Sequence, residues 1–269
     1  MTREEKILIN INKRDIGLEI GPSHNPIAAK KDGFNVHIID HMSKADLIKK
    51  YAAHNVDLSR IEDVDYIWKG ESYAQLTSRR KYYNWIIASH VIEHSPDLVS
   101  FLNQCDEVLR DEGVLSLAIP DSRFCFDSFR PISGIGKILD AYYNKHTIHT
   151  PGTAAEYFLN FTKRGGTICW NDSFREEFKL EFTKQNAYEN AQAILQEHVY
   201  IDLHAWCFTP TSFRLIIQDL NDLGLISLKE VSFFPTYGCE FYITLGRKGI
   251  GFQQGRLDAL KTIKAELSM

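Results

Sequence analysis

The stretch Ile16-Gly-Leu-Glu-Ile-Gly-Pro22 decides the fold. A short apolar run ends at Gly21-Pro22, a pair that breaks extended chain sharply, so it reads as a buried strand. The same pattern recurs along the first half of the chain. Val36-His-Ile-Ile-Asp40, Val64–Trp68, Trp85–Ser89 and Val114–Ile119 are further strand candidates. Between them lie helical patterns. One has Ser43 as N-cap and Leu47, Ile48 and Tyr51 on one face. Another opens at Ser95-Pro96, carries Leu98, Phe101, Leu102, Cys105, Val108 and Leu109 at helical spacing, and stops at Gly113. Strands alternating with helices imply a parallel sheet with right-handed crossovers. Ligands of such sheets bind at the carboxyl ends of the strands, where the strand order reverses.

Beyond residue 121 the alternation stops. Residues 122–205 are rich in aromatics, glycine and histidine, and read as a mostly helical insertion that covers the substrate. The core resumes at residue 206. A helix opens at Thr209-Pro210 with Phe213, Ile216, Ile217, Leu220 and Leu223 on one face, and Gly224 ends it. Leu228–Phe234 and Glu240–Leu245, joined by a turn near Gly238, form a closing antiparallel hairpin. The expected division is therefore a core of 1–121 and 206–250, an insertion of 122–205, and a tail of 251–269 that reads as a short solvated helix.

Bulk properties narrow the functions. The formal net charge is −4, and lysines and arginines do not cluster, so a nucleic-acid partner is not expected. No run approaches the roughly 20 apolar residues of a membrane span, and the start of the chain has no apolar leader core. The five cysteines, Cys105, Cys125, Cys169, Cys207 and Cys239, never form a CxxC pair. They read as buried free thiols of a cytoplasmic protein.

Several segments together resemble the class I S-adenosylmethionine-dependent methyltransferases. They are Glu19-Ile-Gly21-Pro22, Asp40, Ile87-Ala-Ser-His-Val-Ile-Glu-His94, Val108–Pro120 and the closing hairpin. The resemblance covers about residues 16–120 and 207–248. It implies a Rossmann-like α/β fold of seven strands, mostly parallel, with the antiparallel hairpin last. Asp202–Pro210 and Cys239–Leu245 are similar to methyltransferases of bacterial surface-polysaccharide gene clusters. That similarity implies O-methylation of a sugar or glycan-type acceptor. The alternatives are another small-molecule acceptor, or a module that binds S-adenosylmethionine or a nucleotide without catalysis. A nicotinamide dehydrogenase needs G-x-G-x-x-G, which this chain lacks.

The cofactor residues this implies are Glu19, Gly21, Pro22, Asp40, His41, Met42, Trp68, Ser89 and His90. Gly21, without a Cβ, lets backbone approach a ligand. Glu19 would orient the cofactor's ammonium group. Asp40, about 20 residues further on, would accept hydrogen bonds from ribose hydroxyls. His41 and Met42 would pack on the adenosine, with Trp68 near the adenine and Ser89 and His90 near the methionine portion. The family usually carries several glycines after the acid, whereas here Pro22 and Pro26 stiffen the loop.

His90-Val-Ile-Glu93-His94 matches H-x-x-E-H, but that zinc signature needs one continuous helix. Here it spans a strand end and a loop, so no metal centre is expected. A hydroxyl acceptor needs a base, and histidine suits that task. The candidates are His204, His94 and His149, in that order, each with a satisfied structural histidine as the alternative. Arg123 and Arg130 have the fork geometry that binds a carboxylate or phosphate on the acceptor. Their alternative is a salt bridge to Asp121 or Asp127. The insertion's aromatics, including Tyr157, Phe158 and Trp170, read as either a stacking surface or a small local core.

Overall fold

The computed structural model describes residues 1–268. Its main sheet is built from β1 (Gly17–Ile20), β2 (Val36–Asp40), β3 (Tyr66–Ile67), β4 (Tyr83–Ser89), β5 (Leu109–Pro120) and a late pair numbered below. The helices among these strands are α1 (Arg3–Ile7), α2 (Lys44–Tyr51), α3 (Tyr73–Thr77) and α4 (Leu98–Val108). After β5 come α5 (Ile135–Tyr143), α6 (Pro151–Asn160), a small hairpin of β6 (Thr162–Arg164) and β7 (Phe178–Leu180), and α7 (Lys184–Glu197). The chain closes with α8 (Pro210–Asp222), β8 (Lys229–Tyr237), β9 (Glu240–Gly246) and α9 (Arg256–Glu266).

The seven strands lie in the order β3-β2-β1-β4-β5-β9-β8. The first five pair in parallel, and β9 enters antiparallel between β5 and β8. This is the Rossmann-like α/β sheet with a terminal hairpin that the sequence implied. The order reverses between β1 and β4, which places a crevice at their carboxyl ends, just past Ile20 and Ser89.

Burial explains the apolar runs. Leu18, Ile20, Ile86 and Ala88 face one core, with α4 and α8 packed on it. Trp85, Ile87 and Val36 face the other, with Ile7 of α1 and Tyr242 of β9. A sheet covered on both faces has no polar side to show, so its strands lose polar alternation. Gly17 marks the tightest contact: a Cβ there would lie 2.1 Å from the buried Trp85 ring. Gly17→Ala should therefore cost about 3 kcal/mol or more, the upper range for overpacking a core. Denaturant titration checks this through a lower midpoint at unchanged slope.

Several helix ends follow the expected caps. Ser43 caps α2, and Thr209 with Pro210 opens α8 in a capping box. Others differ. The cap of α4 is Asp97, whose carboxylate accepts from the Ser100 amide at 3.0 Å, while Ser95 turns its hydroxyl to the Asp97 carbonyl. An ionised carboxylate at a helix start gains from the helix dipole as well as the hydrogen bond. Gly113 does not end that helix; β5 already runs from Leu109, where it pairs with Tyr83. The third strand is only two residues long.

The insertion contains three helices and a two-stranded hairpin. Phe158, Ala154, Ala187, Ile194 and Leu203 form its own small core, with Tyr157 against them. For Tyr157 and Phe158 the local-core alternative is thus the observed one. The tail helix α9 is exposed on most sides but docks through the fully buried Ala259 beside Leu215 and Phe252. Cys105, Cys125 and Cys207 are buried free thiols, whereas Cys169 is exposed and Cys239 half-buried. No helix among the described residues is long and apolar enough to cross a membrane.

Candidate functional site

A cavity of about 330 Å³ opens at the carboxyl ends of β1 and β4. It is lined by Glu19, Gly21, Pro22, Ser89 and His90, five of the nine expected cofactor residues. Arg3, Ser23, His24, Asn25 and Tyr51 also line it, and the sequence reading missed all five. The surrounding backbone is unusual. Gly21 (φ 63°), Ser23 (φ 53°) and His90 (φ 53°) are all left-handed. For serine and histidine that conformation is disfavoured, and such residues gather where a ligand site is held in shape.

Glu19 explains how the loop after β1 is held. Its buried carboxylate accepts from the Ile27 amide at 2.7 Å and from the Ala28 amide at 3.1 Å. Burial pushes the carboxyl up to about 7, against the pull of those amides. The acid that the sequence assigned to a ligand is therefore also the anchor of the Gly-Pro-Ser-His-Asn-Pro loop. Pro22 and Pro26 remove two amide donors from this loop, and Glu19 satisfies two of those that remain.

The remaining expected cofactor residues stand apart from the cavity lining. Asp40 is buried at the end of β2, and its carboxylate accepts from the amides of Ser23 at 2.9 Å and His41 at 2.7 Å. His41 turns its ring onto the same carboxylate, Nδ1 at 2.6 Å, with Lys50 on its far nitrogen. Met42 is half-buried in the turn before α2. Trp68 is exposed and donates from its indole to the Glu71 carbonyl. Asp40 thus ties the loop after β1 to the end of β2, and Tyr51 with Ser23 lines the cavity on that side.

The cavity's other wall is an ionic network. Glu240, at the start of β9, accepts from Arg3 at 2.6 Å and contacts His90 Nε2 at 2.7 Å. Arg3 also donates to the Ser89 hydroxyl. Burial opposes charge on Glu240, but His90 and Arg3 outweigh it and hold the carboxyl at about 2. Burial likewise disfavours a charged His90, yet Glu240 and Glu93 keep it above the ordinary histidine range. Arg3 arrives on α1, a five-residue helix with no apolar pattern to signal it in the sequence.

His90 leads into a second group. Its Nδ1 is 3.6 Å from Glu93, in the short 3₁₀ turn Ile92–His94. The H-x-x-E-H stretch is not one helix, as its sequence context implied. Glu93, His94 and the distant His204 nonetheless converge, with one ligand-capable atom from each within 4.8 Å of the others. The two histidine rings meet edge to face at 4.6 Å. His204 is buried, and its Nδ1 lies 2.6 Å from Asp127 Oδ2. His94 Nδ1 lies 2.8 Å from Asp202. Burial works against charge on Asp127, but His204 and Arg130 hold its carboxyl below the usual carboxylate range.

His149, the third candidate base, lies elsewhere. It lines a second cavity of about 300 Å³ together with Lys137, His146, Thr153, Ala205 and Trp206. Both of its ring nitrogens are buried without a hydrogen-bond partner. Burial, aided by nearby His94, lowers its pKa to about 4, so it is neutral near pH 7 and a weak proton acceptor.

The two arginines are not available to an acceptor. Arg123 grips Asp121 with Nε at 2.9 Å and Nη2 at 2.5 Å. Arg130 is buried and spans Asp127 at 2.7 Å and Glu156 at 3.1 Å. The salt-bridge alternative is the observed one for both. A guanidinium drawn wholly or partly out of water requires carboxylates, and each has one within three residues in the chain.

No known protein family and no curated protein matches this chain. Solved structures do show likenesses of fold. A protein from Rhodobacter sphaeroides, provisionally described as a Zn-dependent alcohol dehydrogenase, is 13% identical with a TM-score of 0.48, covering 91% of this chain and 89% of its own. The CcbJ methyltransferase from Streptomyces caelestis is 11% identical with a TM-score of 0.46, covering 91% and 96%. A SAM-dependent methyltransferase from Aquifex aeolicus is 11% identical with a TM-score of 0.43, covering 90% and 88%. At these identities and scores none of them assigns an activity to this chain.

Proposed function

We propose that this chain is an S-adenosylmethionine-dependent methyltransferase that methylates a hydroxyl of a sugar or glycan-type acceptor. The observation that carries the reading is the cavity at the reversal point of the sheet. There a buried carboxylate, a left-handed glycine and the end of β4 meet in one wall. Glu19 supplies a negative group for an ammonium, and Gly21 lets backbone approach a bulky ligand. The resemblance of residues 16–120 to class I methyltransferases points to the same cofactor. The absence of G-x-G-x-x-G argues against a nicotinamide.

The reaction needs little covalent help. An acceptor oxygen attacks the methyl carbon of the sulfonium; the O–CH₃ bond forms, the S–CH₃ bond breaks, and the sulfur leaves as a neutral thioether. Alignment and removal of the hydroxyl proton are what the protein must supply. His204 fits the second task. Asp127 fixes Nδ1 as the proton-bearing nitrogen and leaves Nε2 free to take a proton. The second cavity serves as the acceptor site. His149 offers two unspent ring nitrogens there, and Lys137, His146 and Thr153 add the polar groups that sugar hydroxyls need. Residues 122–205 supply most of its lining, which makes the insertion the source of selectivity.

The test is an assay with labelled S-adenosylmethionine and a panel of glycan acceptors. Stoichiometric S-adenosylhomocysteine and a methyl ether, lost in His204→Asn, are expected. Cofactor binding without transfer, or transfer only to protein, lipid or nucleic acid, would sink the reading.

A further inference from the structure

The side chain of Glu93 is completely buried, and neither carboxylate oxygen has a hydrogen-bond partner among the described residues. The nearest ring nitrogens, His90 Nδ1 at 3.6 Å and His204 Nε2 at 3.8 Å, are beyond normal hydrogen-bond reach. A buried carboxyl group whose oxygens make no hydrogen bond is unfavourable, so a native fold that keeps one has a use for it.

We propose that Glu93, His94 and His204 bind a divalent transition-metal ion of the zinc type. Two imidazoles and one carboxylate form a recognised donor set for such ions, with positions left open for a further ligand. Donors on one ion at about 2.1 Å sit roughly 3–4 Å from each other; Glu93 Oε1 and His204 Nε2 already stand 3.8 Å apart, and the third donor, from His94, lies within 4.8 Å of both. His204 is held from behind: its Nδ1 is hydrogen-bonded to Asp127, the carboxylate support that ligating histidines characteristically have. This leaves Nε2, the nitrogen nearer Glu93, as the donor. His94 Nδ1 lies 2.8 Å from Asp202 as an ion-pair contact. His94 is only partly buried, which gives an ion a way in.

The site also has a place in the chemistry. His90, on the rim of the first cavity, adjoins Glu93, and His204 precedes Ala205 and Trp206 of the second cavity. An ion here would hold the acceptor's hydroxyl oxygen and make its proton easier to remove, taking over the activating role from His204, whose Nε2 cannot ligate the ion and accept a proton at once. That role rests on the methyl-transfer reading; the ion site does not.

The experiment is calorimetric titration of chelator-treated protein with zinc chloride, without cofactor, alongside elemental analysis. One zinc per chain is expected, with affinity reduced at least 100-fold in both Glu93→Gln and His204→Asn. Cobalt(II) bound in its place should show the visible absorption of a low-coordinate nitrogen–oxygen site, lost in the same variants. Magnesium, which prefers all-oxygen sites, should not compete. In chelator, Glu93→Gln should melt at or above the wild-type temperature, because it removes a buried charge; this shows that the variant folds. No bound zinc, or zinc binding unchanged in Glu93→Gln, overturns the site. Because the readout needs no cofactor, its failure leaves the transferase reading intact, and failed transfer leaves the site intact.

Discussion

S-adenosylmethionine should bind this chain about tenfold more tightly for each unit of pH between 5 and 7, with the slope flattening above about pH 7. The cause is Glu19. Burial holds its carboxyl at about 7, so in the free protein it is largely protonated under mildly acidic conditions. A ligand ammonium beside it favours the ionised form, and binding must then expel a proton. Affinity coupled to loss of one proton changes about tenfold per pH unit below the free-state pKa. Other charged groups act here too. Glu62 raises the Glu19 carboxyl and Arg3 lowers it, and neither outweighs burial. The sign for stability is opposite. The folded pKa lies above the usual value of 4.5, so the folded state binds the extra proton. Stability is then greatest below pH 4.5 as far as Glu19 is concerned, and declines by about 3 kcal/mol as pH rises through 7. Calorimetric titration from pH 5 to 8 checks the binding slope, and Glu19→Gln should flatten it. A flat profile in the wild type would remove Glu19 as the ammonium's partner.

The same residue shows what a sequence conveys and what it hides. Ile16–Ile20 announces a strand, and the acid before Gly21 announces a ligand end, because both signals are local. So are the caps at Ser43 and at Thr209-Pro210, which need only three or four neighbouring residues. The hairpin of β8 and β9 is legible for the same reason. That Glu19 spends both oxygens on the amides of Ile27 and Ala28 is not local pattern; it depends on how a proline-stiffened loop folds back. The loop geometry also accounts for Asp40, which binds the Ser23 amide.

Long-range pairing is where sequence reasoning ended. Arg3 reaches Glu240 across nearly the whole chain, and α1 has too few residues to show a period. Glu93 and His94 were visible only as a motif whose helical context fails, while His204 lies in a different segment. Nothing in a residue's neighbours says that it will meet another 110 positions away; the fold does that by returning the segment after the insertion to the sheet edge, where the Ala205 amide donates to the Glu93 carbonyl and Phe208 bridges to Asp121 after β5. The two insertion arginines illustrate the reverse. Guanidinium forks suit acceptors and carboxylates alike, and the nearer carboxylates, Asp121 and Asp127, have taken them.

Asp127→Asn should have the largest effect of any single change, lowering turnover about 10³- to 10⁴-fold while destabilising the fold by about 3–5 kcal/mol. Asp127 does two jobs with its two oxygens. Oδ2 meets His204 Nδ1 at 2.6 Å and Oδ1 accepts from buried Arg130 at 2.7 Å. Asparagine keeps the shape but offers one acceptor and one donor. If its oxygen stays with Arg130, its amide N–H faces His204 and stabilises the tautomer whose proton sits on Nε2, the wrong one for a base. If it turns over, Arg130 keeps only Glu156, which is partly exposed. The two effects separate in a double variant. Asp127→Asn with Arg130→Met removes the orphaned guanidinium and should recover most of the stability, read by denaturant titration. Turnover should stay low, because His204 still lacks its carboxylate. Stability and turnover recovering together would show that Asp127 acts on catalysis only by holding the fold. Recovery of stability alone would place Asp127 behind His204 as the residue that sets its tautomer.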